Sequence, residues 1–141
     1  MATSIIKSLW DYFLACPLTE DKKLNVDYLP ENGVEYSIDT TPATEVVKMY
    51  TGGASIRQYL FVFRSVIEYG NNALQSLANS GFYEQLSEWL EQQSRAGNFP
   101  ELPDGKMPMK IEAQSTGYLF TTTPKAGRYQ IQCRLLYYQE A

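Results

Sequence analysis

Apolar residues in the first part of the chain recur at helical spacing: Ile5, Ile6, Leu9, Trp10, Phe13 and Leu14 form one stripe. Thr3 or Ser4 is placed to cap that helix and Pro17 to end it. The period then changes to two. In "LNVDYL" (24–29) Leu24, Val26 and Tyr28 share a face, and in "VEYSID" (34–39) Val34, Tyr36 and Ile38 do the same. The intervening "PENG" has turn chemistry, so the pair predicts a half-buried β-hairpin. "EVVKMY" (45–50) predicts a third strand, and "TGGAS", with Gly52 and Gly53 adjacent, a flexible connector.

"GASIRQYLFVFRSVIEYG" (53–70) is the most apolar and aromatic run, and it fits either period. Its Tyr, Phe, Val and Ile content favours a strand. At ~3.3 Å per residue such a strand is unusually long, so it is expected to bend, to bulge or to run past its own sheet. Helical spacing returns after Gly70. "NNALQSLANS" (71–80) predicts a short helix, and "SGFYEQLSEWLEQQSRAG" (80–97) a strong one. Ser80 would cap the second helix, Gly97 would stop it, and Phe82, Leu86, Trp89, Leu90 and Gln93 would line its inner face. "NFPELPDGKMPM" (98–109) reads as an irregular connector. Strands are expected at 110–115, 117–123 and 128–138, the last with Tyr129, Ile131, Cys133, Leu135 and Tyr137 on one face. Helix, strands, helix and strands again predict a single α+β domain over residues 1–141. An N-terminal helix and one or two central helices would pack on a mainly antiparallel β-sheet.

Composition sharpens this picture in two places. Eleven Tyr, six Phe and two Trp suit a β-rich core and aromatic contact surfaces. A net charge of −4 without basic clusters argues against nucleic acid as a direct ligand, although such a protein can surround DNA without holding it. Cys16 and Cys133 read as buried small hydrophobes rather than as part of a redox motif. The segment "MATSIIKSLWDYFLACP" lacks the basic and long apolar parts of a signal peptide, and no window is apolar enough to span a bilayer. A cytosolic origin with no membrane partner is the expectation.

Candidate chemistry is sparse. The chain has no His, which removes the commonest general base and the Cys/His metal sites. Glu35, Asp39 and the trio Glu84, Glu88 and Glu91 sit where solvated faces are expected. No catalytic residue, metal ligand or cofactor is assigned, and the reading is not an enzyme. Arg57 and Arg64 are seven apart, so a regular strand sends them to opposite faces. They read as snorkelling surface arginines or as a pair with Glu68 across the sheet, or else one of them is a subunit contact with Tyr59 or Tyr69; a nucleic-acid contact is the remaining alternative. The connector residues Tyr50, Thr51, Gly52 and Gly53, within a projecting segment 40–54, are the other interface candidates, as is the Pro-rich 98–109 segment.

The series "YSI" (36–38), "QYLFVFRSVIEYG" (58–70), "FYEQLSEWLEQQSRAGNFPEL" (82–102) and "YQIQCRLLYY" (129–138) resembles the phage and prophage minor capsid proteins. Those in turn are similar to the tail terminators of phages with long, non-contractile tails. The resemblance runs from about residue 5 to residue 139. It implies a virion protein, assembled in the bacterial cytoplasm, that forms a ring, typically a hexamer, at the head-proximal end of the tail. The implied partners are other copies of the chain, the tail tube protein and the head–tail connector, with DNA only passing through the channel. A neck or head-completion protein is the alternative within the virion, and a small-molecule-binding α+β domain the alternative outside it.

Overall fold

The computed structural model describes residues 4–19, 23–26, 35–68, 73–122 and 126–141. Helix α1 spans Ile5–Leu14, and the Ser4 hydroxyl accepts the Lys7 N–H at 3.2 Å, as the capping pattern requires. Leu9 and Phe13 are buried, with Ile5, Ile6 and Trp10 packed at the margin. Leu14, expected in the stripe, is 45% exposed. At about 100° per residue it lies ~140° around the helix from Leu9, past the edge of the buried strip. Three side chains anchor the helix: Ser8 Oγ donates to the Glu101 carbonyl, Trp10 Nε1 to that of Leu24 and Tyr12 Oη to that of Asn98.

Seven strands form one sheet: β1 (Lys23–Val26), β2 (Glu35–Thr40), β3 (Val46–Met49), β4 (Ser55–Glu68), β5 (Lys106–Ala113), β6 (Tyr118–Thr122) and β7 (Ala126–Gln139). Its spine is the antiparallel ribbon of β4 and β7, each 14 residues long, paired from Ser55↔Gln139 to Glu68↔Ala126 without a register shift. The length of β4 is therefore matched by an equal partner. It neither bulges against β7 nor runs past its sheet, because every residue that extends β4 also finds a pairing site on β7. Short strands flank the ribbon on both sides. β3 pairs with the start of β4 and β2 with its later part; β5 pairs with the end of β7 and β6 with its beginning.

β1 and β2 pair in parallel, with Leu24 opposite Tyr36, so the expected hairpin does not form. An alternating pattern reports which face a side chain takes and is the same for either strand direction. The "PENG" turn, Tyr28 and Val34 lie outside the described residues. β5 starts at Lys106, inside the stretch expected to be irregular. Pro108 is accommodated because β5 is an outer strand with a register shift between Pro108 and Lys110.

A single helix, α2 (Ala73–Ala96), spans both segments read as helical, so one central helix forms of the one or two expected. Ser80 and Gly81 lie inside it, so Ser80 is not a cap. A helical Gly costs about 1 kcal/mol relative to Ala, yet the helix runs through it. The helix ends as foreseen: Gly97 takes φ 75°, its N–H bonds the Ser94 carbonyl, and the Asn98 N–H bonds that of Gln93. Both helices cover one face of the sheet. The core lies between them and Tyr36, Ile38, Phe61, Phe63, Ile111, Ile131, Cys133, Leu135 and Tyr137. It is strongly aromatic: Phe13 lies 5.5 Å from Phe63, and Tyr36 stacks on Phe82 at 5.2 Å between ring centres. Cys16 and Cys133 are buried and unbridged.

Candidate interface

The connection from β3 to β4 is a closed turn rather than a flexible linker. The Tyr50 N–H bonds the Ala54 carbonyl at 2.9 Å, and the Gly53 N–H bonds the Tyr50 carbonyl at 3.2 Å. Gly52 (φ 103°) and Gly53 (φ 100°) both adopt left-handed backbone, which is why two glycines stand there. Tyr50, Thr51, Gly52 and Gly53 are exposed at this tip. Beside them the hairpin holds out Val47 (51% exposed) and Met49 (65%), with Lys48 Nζ 5.1 Å from the centre of the Tyr50 ring. A small apolar surface is thus fixed in place by backbone hydrogen bonds.

Arg57 braces this hairpin. Its guanidinium pairs with Glu45 at 3.1 Å and donates from Nε to Ser55 Oγ at 3.0 Å. The same Glu45 oxygen accepts the Tyr137 hydroxyl at 3.2 Å, joining the hairpin to the end of β7. Burial, reinforced by the Glu45 carboxylate, pushes the Tyr137 hydroxyl up to about 12. Tyr59 lies farther along the same face, its hydroxyl hydrogen-bonded to Thr40 Oγ1.

Arg64 belongs elsewhere. The unbroken register of β4 sends it to the face opposite the helices, as the seven-residue spacing from Arg57 requires. There it pairs with Asp39 at 2.8 Å, and Asp39 also accepts the Ser37 hydroxyl. Asp39 is only 8% exposed, so it is not the solvated carboxylate that its alternation predicted. It is the anion that lets Arg64 lie on the sheet, and no Glu68 pairing is needed to account for it. The structure therefore brings Tyr50, Thr51, Gly52, Gly53 and Arg57 together at one end, places Tyr59 nearby and leaves Arg64 apart. Tyr69 lies outside the described residues.

Sequence reasoning missed Val47 and Met49. The available signal was that "VVKM" carries apolar residues on both faces of a short strand. It also missed a groove of about 520 Å³ between α2 and β5. The groove's charges satisfy one another: Glu91 pairs with Arg95 at 2.5 Å, and Glu112 with Lys110 and Arg134 at 3.5 and 2.7 Å. Glu84, Glu88 and Glu91 are exposed along the outer side of α2, as expected of a solvated face. Among the described residues no group of three His, Cys, Asp or Glu side chains is placed to hold a metal ion, and no helix is long and apolar enough to cross a membrane. No family model matches this chain, and no curated protein matches it.

Proposed function

We propose that this chain is a structural virion protein of a phage or prophage, a tail terminator. It would form a ring, hexameric in keeping with the resemblance, on the head-proximal end of the tail tube. The observation that carries the reading is the β3–β4 hairpin, which holds Val47, Met49 and Tyr50 out at a sheet edge. Exposed apolar side chains on a rigid edge suit contact with another subunit. The resemblance of residues 36–38, 58–70, 82–102 and 129–138 to minor capsid proteins supplies the biological setting.

Mechanistically the protein would act by shape. Subunits joined head to tail close a ring when the rotation between them allows it. One ring face accepts the last tube subunit; the other offers no equivalent surface, so polymerisation stops and the head can attach. Arg57, Tyr59 and the 50–53 turn lie at or near the proposed contact, whereas Arg64 has an internal role. In a phage encoding this chain, deletion of its gene is expected to give tails of uncontrolled length. Tails of normal length would refute the proposal.

A further inference from the structure

A sheet that builds an assembly must dispose of every outer strand, because each presents a row of backbone donors and acceptors. Among the described residues four strands are outermost: β1 beyond β2, β3 beside the start of β4, and β5 and β6 beside the two parts of β7. Two of them are sealed from within the chain. Trp10 Nε1 takes the Leu24 carbonyl of β1 at 3.1 Å. On β5, Ser94 Oγ donates to the Ile111 carbonyl (2.6 Å) and accepts its N–H (3.1 Å), and Pro108 has no N–H to offer. A strand approaching β5 would have to displace a side chain of α2.

Among the described residues β3 and β6 carry no such cover. Among the described residues the backbone of β3 bonds only β4, and that of β6 only β7. The Tyr50 N–H points to Ala54, so antiparallel alternation turns the N–H and carbonyl of the preceding Met49 away from β4. Both strands also expose apolar side chains: Val47 and Met49 on β3, Tyr118 and Leu119 on β6.

Their positions are complementary. β3 pairs with Ser55–Arg57 at one end of the ribbon, and β6 with Gly127–Gln130 at the other end and on the other side. They occupy opposite corners of the sheet. The antiparallel steps β3–β4, β4–β7 and β7–β6 also make them run in opposite directions. A second copy in the same orientation, slid along the strand direction by about the nine residues that separate the two corners, therefore brings its β6 antiparallel to the first copy's β3. We infer that the partner of β3 is β6 of a second copy of this chain, so that the sheet continues from subunit to subunit. This rests on the proposed ring and names its joint. The contact uses different surfaces on its two sides, the heterologous kind that closes a ring when the rotation between copies allows it; a β3–β3 contact would stop at two copies and leave β6 open.

Two variants of the full chain test the joint, Met49→Lys and Leu119→Lys, both at exposed positions, with circular dichroism and melting temperature confirming the fold. Met49→Pro, which removes the outward N–H without adding charge, is expected to reproduce Met49→Lys. By size-exclusion chromatography with light scattering the unaltered chain is expected to form a ring of several subunits, and each variant to be a monomer. An equimolar mixture of Met49→Lys and Leu119→Lys should give a dimer and nothing larger, since each supplies the edge the other lacks. Rings formed by either variant alone would overturn the joint and leave the ring reading standing. Dimers of Leu119→Lys alone would identify a β3–β3 contact instead. An unaltered chain that stays monomeric at all concentrations would overturn the ring reading and the joint together.

Discussion

Replacing Tyr83 by Phe removes one oxygen atom from the centre of the molecule. Tyr83 is 2% exposed; its hydroxyl donates to the Tyr129 carbonyl at 3.2 Å and shares a hydrogen bond with the fully buried Ser65 Oγ. Without it the Ser65 hydroxyl stands in a dry interior with its main partner gone. A buried polar group left in that state costs about 1–3 kcal/mol. Ser65→Ala is milder, about 0.5–1.5 kcal/mol, because the Tyr83 hydroxyl keeps Tyr129. In the double variant nothing is orphaned at position 65, so its loss should fall short of the sum of the single losses by about 1 kcal/mol. Urea unfolding resolves this. With slopes of about 1–3 kcal/mol per M, Tyr83→Phe should lower the midpoint by an amount on the order of 1 M. Single effects that add to within about 0.3 kcal/mol would refute the view of Tyr83 and Ser65 as one buried unit.

Other predictions test the packing around that unit. A Cβ added at Gly81 meets nothing within 4 Å, so Gly81→Ala should stabilise the continuous α2 by about 0.5–1 kcal/mol; a lower melting temperature would argue for a break there. A Cβ at Gly117 would overlap Tyr83 Cβ and Cγ, so Gly117→Ala should cost about 1–3 kcal/mol, and an unchanged melting temperature would contradict the close approach of this bend to α2. Burial raises the Tyr137 hydroxyl to about 12 and pushes that of Tyr83 up as well, whereas an unfolded tyrosine ionises near 10. The unfolded chain therefore sheds these protons first, and the stabilisation is complete below pH ~10 and lost as pH rises towards ~12. A urea midpoint that holds steady between pH 9 and 11.5 would exclude this.

The chain announces its elements more clearly than their partners. Aromatic and β-branched content identified β4 as a strand, and the alternation in 129–137 identified the inner face of β7, with Ile131, Cys133, Leu135 and Tyr137 in the core and Tyr129 packed at its margin. Pairing was less legible, because period two does not encode direction: the same Leu24 and Tyr36 pattern serves a hairpin or the parallel pair that forms. Local signals also misled where tertiary packing outweighed them, as at Ser80-Gly81 within α2 and Pro108 within β5. At the candidate interface, Tyr50 to Gly53 and Arg57 were recognisable from turn chemistry and residue type. Asp39 was not, because only the fold shows that its strand face is shielded and that Arg64 lies within reach.

The β4–β7 ribbon also sets the order in which the chain can become safe from aggregation. Its least separated pair, Glu68 and Ala126, has α2, β5 and β6 between its members, and its most separated pair joins Ser55 to Gln139. The most apolar strand of the protein therefore emerges from the ribosome long before its partner exists. Until β7 is made, the strand partners of β4 are β2 and β3 alone, and closing so large a loop is slow. A chain cut short before Tyr137 would leave Ser55, Ile56 and Arg57 without their β7 partners Gln139, Tyr138 and Tyr137, at the end of the sheet where the exposed hairpin stands.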